Sequence, residues 1–446
     1  MGYYFVREYG AAGDGKTNDT AAIQQAIDEC HREGGGRVVL SSGTYVTANI
    51  EIKSNVELHL EHGATIVASP NPDDYDCTVW GGGRHYLIFS KQAENIAITG
   101  SGTIDGNGKS YIETDRGHIY KMKRKRPFTV LLVGSKTITI ENIRIVDGAV
   151  WTLTLSGCSD VLIRGIRILN DLKVPNSDGI DIDRCQNVRI SDCHLECGDD
   201  CIVFKATDFL WGKGPCENVT VTGCTMVSNS FAINIGCEVE EPIRNITVNS
   251  CVIRDSHRGI GVHLSNHNNV ENIMFSNMII ETRYRNPDWW GAAEPIYVVS
   301  IPWTDKDKLG HVKHIRFSNI LCKSENGIFI QGWEDYTVDD ILLDNVRIEL
   351  DKWTDEAGGR HDIRPCHGGD LDGRSAGVYD YPTNGFFLKD INGTVTLRNC
   401  EVVWGEHIPD YYKHALEAHR VQGLDLQNFK GTAAFPARDE AIVRTV

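Results

Sequence analysis

Asn187-Val-Arg-Ile-Ser-Asp, Asn218-Val-Thr-Val-Thr-Gly and Asn245-Ile-Thr-Val-Asn-Ser are versions of one six-residue pattern. Each opens on a polar residue and then places an aliphatic at every second position, the period of a strand with one buried face. Upstream the pattern continues through Asp160-Val-Leu-Ile-Arg-Gly, Thr137-Ile-Thr-Ile-Glu-Asn and Asn95-Ile-Ala-Ile-Thr-Gly. Downstream it runs through Asn272-Ile-Met-Phe-Ser-Asn, His314-Ile-Arg-Phe-Ser-Asn, Asp340-Ile-Leu-Leu-Asp-Asn and Thr394-Val-Thr-Leu-Arg-Asn. Neighbouring starts are mostly 23 to 31 residues apart, the spacing of stacked solenoid repeats.

A second set of alternating segments lies between these: Gly179-Ile-Asp-Ile-Asp, Cys201-Ile-Val-Phe-Lys, Ala232-Ile-Asn-Ile-Gly and Gly259-Ile-Gly-Val-His. Two or three short strands per repeat, joined by Asn, Asp and Gly bends, cannot bury an apolar face alone. They bury it by stacking on the next coil, which predicts an all-β parallel β-helix. A sandwich fits less well, because hairpin turns between adjacent strands are scarce. Cys158, Cys185, Cys193, Cys224, Cys251 and Cys400 recur near strand ends and read as interior packing rather than as a metal site of Cys193, Cys197 and Cys201, whose spacing does not match a zinc ribbon. Asp19 or Thr20 can start a helix carrying Ala22, Ile23, Ala26, Ile27 and Cys30 on one face, a cap over the end of the solenoid within residues 1–40. No linker divides the chain, so residues 1–446 read as one β-helix domain with a long polar insertion at 352–384.

The formal charge of −16 argues against nucleic-acid binding, which needs a surplus of Lys and Arg. No apolar run reaches the roughly 18 residues of a membrane span, and the first residues do not read as a signal peptide. Fourteen cysteines then read as reduced thiols, and a cytoplasmic location is expected. No cofactor is called for, and oligomeric state has no marker.

Chemistry concentrates at Asn176-Ser-Asp178-Gly-Ile-Asp181-Ile-Asp183 and Gly198-Asp199-Asp200-Cys-Ile-Val-Phe-Lys205. Asp178 and Asp200 precede matching strands, so stacking places them one coil apart, with Asp199 beside Asp200. Crowded carboxylates repel, which raises the proton affinity of at least one and prepares an acid and a base from the same residue type. Taken singly, each Asp could equally be a bend residue bonding its own backbone.

These motifs, with Tyr9-Gly-Ala-Ala-Gly-Asp-Gly-Lys-Thr-Asn-Asp and Gly100-Ser-Gly-Thr-Ile-Asp-Gly, resemble the polygalacturonases of glycoside hydrolase family 28, in the pectin-lyase-like superfamily of right-handed, single-stranded β-helices. The resemblance implies that Asp199 protonates the glycosidic oxygen while Asp178 and Asp200 activate water. It implies inversion at the anomeric carbon, for which acid and base carboxyls stand about 6.5–9.5 Å apart.

Two family motifs are replaced. Gly-His-Gly aligns with Ser230-Phe231-Ala232, and Arg-Ile-Lys aligns with Gly261-Val262-His263, which removes the two cations that would hold a galacturonate carboxylate. An oligosaccharide substrate with altered sugar specificity is therefore expected. Candidate contacts are Asn176, Lys205, the replacement cations Arg258 and His263, a stacking platform at Trp289 and Trp290, Glu294 as a hydroxyl acceptor or displaced acid, and Arg364 in the insertion, whose closure over the groove would favour exo action. A calcium-dependent lyase using Asp181, Asp183 and Lys205, and a non-catalytic carbohydrate-binding β-helix, are the other two readings.

Overall fold

The computed structural model describes residues 2–75, 85–208, 210, 212–303, 308–333, 338–364 and 377–445. It divides into two compact units, residues 1–202 with 208–214, and residues 203–207 with 215–446. Each is built as the repeats predict.

In the first unit, strands Glu94–Gly100, Lys136–Glu141, Ser159–Arg164 and Gln186–Ser191 are parallel and in register, so that Ile98, Ile140, Ile163 and Ile190 form one column. Ile104, Ile145, Ile168 and Leu195 form a second. Leu132, Leu155 and Ile182 form a third. All are buried. The polar residue that opens the repeat sits at positive φ in every segment but that of Thr394: 55° at Asp160, 58° at Asn187, 60° at Asn218 and 57° at Asn245 among them. Asn and Asp tolerate this left-handed conformation better than other side-chain-bearing residues. Their amides also bond rung to rung in the second unit, from Asn245 to Asn218 at 3.1 Å and from Asn272 to Asn245 at 3.3 Å.

The helix forms at Thr20–Arg32 and buries Ile23, Ala26, Ile27 and Cys30, with Ala22 only half-buried. Asp19 precedes it but does not cap it through its side chain; its carboxylate accepts instead from the backbone N–H groups of Ala12 and Gly13, at 2.7 and 3.0 Å. The twelve described cysteines are free and buried; Cys193 and Cys201 donate to the carbonyls of Ser191 and Leu195, as packing thiols do.

The second unit continues the pattern with Val219, Ile246, Ile273, Ile315, Ile341 and Val395 in one column. Another column is aromatic: Tyr297, Phe329 and Phe387 occupy successive rungs, with ring centroids 5.4 and 5.6 Å apart. His361, from the insertion, packs on Phe329, Phe387 and Tyr381. Within the insertion, Arg360–Asp362 pairs antiparallel with Val378–Asp380; its residues 365–376, including His367, lie outside the described residues. No helix among the described residues is long and apolar enough to cross a membrane.

Three histidines of this unit, His257, His263 and His361, are 0–3% exposed, and burial, reinforced by nearby positive charge, lowers each to about 3. The unfolded imidazole titrates near 6.5. Between about pH 6.5 and 3 the unfolded chain therefore binds more protons, and stability falls as pH falls through that window, by up to about 1.4 kcal/mol per pH unit for each histidine. Urea midpoints taken from pH 7 to pH 4 should decline, and less steeply in His361→Phe. Identical slopes in the two proteins would show that His361 is not buried neutral.

Candidate active site

Two turns build the acidic site, both in the first unit. Asn176 has φ 58°, and after it the backbone N–H groups of Gly179 and Ile180 donate to the carbonyls of Asp200 and Cys201, both at 2.8 Å. Ser177 bridges the turns, donating from its hydroxyl to the Val174 carbonyl and accepting from the Gly198 N–H. The glycines are required by contact. A Cβ on Gly179 would lie 2.4 Å from the Cys201 carbonyl oxygen, and one on Gly198 would lie 2.3 Å from that of Val174.

This nesting brings Asp178, Asp199 and Asp200 together, with one carboxylate oxygen of each within 4.8 Å of the others. The three side chains are buried, at 3%, 4% and 5% exposure. Asp199 Oδ2 accepts from the Asn176 N–H at 3.2 Å, with a longer contact of 3.5 Å from the Asn176 amide. Asn176, expected from the sequence to contact substrate, is here a partner of Asp199. Three oxygens this close could also share one hard cation. Beneath them, burial pushes the Cys197 thiol well above its usual range, with neighbouring Cys201, Asp178 and Asp181 adding to the effect.

Arg126, absent from the sequence reading, borders the site. Its guanidinium donates to the carbonyls of Ala149 and Pro175, at 2.9 and 2.7 Å, and to Asn176 Oδ1 at 3.3 Å. Burial pulls its pKa below the ordinary arginine value, against the opposing charges of Asp178 and Asp199. The available signal was the basic run Lys121-Met-Lys-Arg-Lys-Arg126 in an otherwise acidic chain. Nothing in its local pattern says that its last member turns inward.

The remaining candidates belong to the second unit, and several do not stand as expected. Arg258 does not present a cation to a sugar: it is fully buried, pairs with Glu294 through Nε–Oε2 at 2.7 Å and Nη2–Oε1 at 3.1 Å, and packs on both the Phe231 and Tyr297 rings. Glu294 is correspondingly no displaced acid, since it is also fully buried and takes the Ala292 N–H at 2.8 Å as well. His263 cannot substitute as an imidazolium, because burial lowers its pKa to about 3; it contacts the Ser265 hydroxyl at 3.1 Å and meets Tyr297 edge-on. Lys205 is 7% exposed, with its ammonium 3.2 Å from Glu238.

Trp289 and Trp290 are half-buried and stacked on each other, 5.2 Å apart and 7° from parallel. The insertion grips the backbone on both sides of them. Asp362 accepts from the Gly291 N–H at 2.7 Å, and Arg364, paired with Asp362 at 2.8 Å, donates to the Trp289 carbonyl at 2.8 Å. Arg364 thus holds the platform.

Comparison with known proteins agrees with this architecture. The sequence model of the glycosyl hydrolases family 28 matches residues 39–287. A probable polygalacturonase of Vitis vinifera is 32% identical over 251 residues, 52% of this chain and 51% of its own length. The chain spans about half the length, or less, of the curated relatives it matches. Among solved structures, a hyperthermoactive exopolygalacturonase from Thermotoga maritima superposes with a TM-score of 0.66 at 24% identity, over 78% of this chain and 87% of that one. A family 28 exopolygalacturonase of Yersinia enterocolitica gives 0.69 at 20% identity, over 96% and 77%. These likenesses place the fold among the right-handed parallel β-helices. With the family match covering more than half of its residues, the chain belongs to the glycosyl hydrolases family 28.

Proposed function

We propose that this protein hydrolyses an O-glycosidic bond of an oligosaccharide, with Asp199 as the general acid and Asp178 with Asp200 as the activators of water. The observation that carries the reading is the gathering of three buried carboxylates within 4.8 Å. Holding three like charges together in a low-dielectric site is costly unless one keeps its proton, and a protonated carboxyl beside ionised ones is what acid-assisted cleavage requires. Asn176 contacts Asp199 through backbone and side chain and so fixes its orientation.

Sugar recognition departs from that of a polygalacturonase. At the family's two cation positions this chain has buried Gly261 and a buried, neutral His263, so a uronate carboxylate finds no partner there. Trp289 and Trp290 supply an aromatic edge against which the apolar face of a sugar ring can pack. The reading extends to attack from a chain end, as expected of a long insertion that fixes the backbone of the platform. The buried free thiols are compatible with a reducing, cytoplasmic setting.

The lyase reading is weaker. Asp181 and Asp183 are fully buried and accept from the hydroxyls of Thr154 and Ser156 at 3.3 and 2.5 Å, and Lys205 is paired with Glu238.

Asp199→Asn should lower kcat by about 10²- to 10⁴-fold, the range for loss of general acid catalysis, while titration calorimetry still registers oligosaccharide binding. A wild type that turns over no member of a broad panel of neutral and uronic glycosides, yet binds a glycan as Asp199→Asn does, would end the enzymatic reading in favour of the binding module. The stereochemical outcome is a separate measurement. The nearest oxygens of the trio are closer than the roughly 6.5–9.5 Å between carboxyls of inverting enzymes, so inversion rests on the family and not on the spacing. Proton NMR of the first-formed product should show the inverted anomer; a retained anomer would assign one aspartate as a nucleophile. Trp290→Ala should raise KM by roughly tenfold, about the worth of one aromatic contact, with kcat changed less. An unaltered KM would remove the platform from the binding site.

A further inference from the structure

The chain carries 61 acidic against 45 basic residues, yet Lys121-Met-Lys-Arg-Lys-Arg126 puts five cations into six positions with no acid among them. The run begins inside a feature that lies outside the main sheet. Ile112–Asp115 and Tyr120–Met122 form an antiparallel two-stranded sheet of their own, in the first unit. This hairpin is fastened to the segment that leads into the Asn176 turn. The Tyr120 N–H donates to the Lys173 carbonyl at 2.9 Å, Lys173 pairs with Asp115 at 2.9 Å, and the Lys173 ammonium lies over the Tyr120 ring at 4.7 Å.

The members of the run are used differently. Lys121 pairs with Glu113 at 2.7 Å, and Lys123 donates to the Ser110 carbonyl at 2.8 Å. Arg126 turns in and bonds the Pro175 carbonyl and the Asn176 side chain, the residues that carry Asp178 and touch Asp199. Arg124 and Lys125 are exposed, and no ion pair or hydrogen bond among the described residues holds either. Two residues of chain span at most about 7 Å, so the backbone of both cations lies within that distance of Arg126, whose guanidinium reaches the Asn176 turn.

We propose that Arg124 and Lys125 form a subsite for the anionic groups of a glycan, carboxylate or sulfate ester, held beside the trio by Arg126. The assignment deepens the reading of that trio as a hydrolytic centre and rests on it. Adjacent like charges on a short segment repel, and an anionic ligand relieves that repulsion. The three carboxylates would repel an anionic sugar, and the two cations offset that repulsion where such a sugar enters. An anionic glycan whose charged groups fall away from the family's clamp position fits the arrangement; a long phosphate polymer does not, against a net charge of −16.

Binding in the Asp199→Asn background keeps the test independent of turnover. Titration calorimetry would compare three probes: trigalacturonic acid, its fully methyl-esterified neutral form, and a sulfated galacto-oligosaccharide. The double substitution Arg124→Gln, Lys125→Gln should weaken an anionic probe by roughly tenfold or more, two exposed charge contacts at somewhat under 1 kcal/mol each, and leave the neutral ester unchanged. It should also flatten the loss of affinity on going from about 50 mM to about 500 mM salt. The conservative pair Arg124→Lys, Lys125→Arg should retain most of the affinity. Which anionic probe responds assigns the group as carboxylate or sulfate. Equal weakening of the neutral ester, no weakening of either anionic probe, failure of both to bind, or equally tight binding of a short single-stranded oligonucleotide would overturn the proposal. Absence of turnover in the wild type with this charge-dependent binding intact would instead overturn only the hydrolytic reading.

Discussion

The backbone hydrogen bonds between successive coils decide what every other residue does. Parallel rungs lie about 4.8 Å apart and are locked in register, so a residue type repeated at one position becomes a column of that type. Aliphatics at those positions give the core columns, such as Ile98 through Ile190. Asparagines at the left-handed bends give the amide ladder from Asn218 to Asn272. The same rule, applied to the segments that begin at Asn176 and Gly198, sets Asp178 against Asp199 and Asp200. The scaffold holds the charges together at a spacing they would not choose, which is how a site acquires an acid and a base from one residue type.

The second unit shows the same constraint turned to a different end. Phe231 and Arg258 are register partners on adjacent rungs, and the guanidinium packs on both Phe231 and Tyr297, at 4.8 and 4.0 Å from their centroids. With phenylalanine at the position of the family's histidine, Arg258 finds an aromatic face on one side and Glu294 as its counter-ion. A fully buried arginine is tolerable only with such pairing. The consequence is that these rungs form a stack of rings, an internal ion pair and a neutral imidazole. Asp362 and Arg364 extend the stack to the insertion and fix the backbone around the two tryptophans.

Repeat spacing, alternation and the bend residues made the solenoid legible, because each depends only on neighbours in the chain and on the coil immediately above. The acidic trio was legible for the same reason: matching positions in matching strands stack wherever the strands go. Arg258, Glu294 and His263 were misjudged because alternation assigns a side chain to one face of a strand without saying whether that face meets solvent. Here the insertion and the aromatic column cover it. Arg126 was missed because its function depends on the carbonyls of Ala149 and Pro175 and the amide of Asn176, none of which is near it in sequence.

What the sequence determined alone is therefore the coil, its register and the meeting of Asp178 with Asp199 and Asp200, since these follow from periodicity. Tertiary structure decided which charged groups were consumed internally and which remained for a ligand. Burial and counter-ion pairing are set by segments more than a hundred positions apart, as when Asp362 closes on Arg258. No local pattern encodes that contact, because its partners become neighbours only after the coils have stacked and the insertion has folded back onto them.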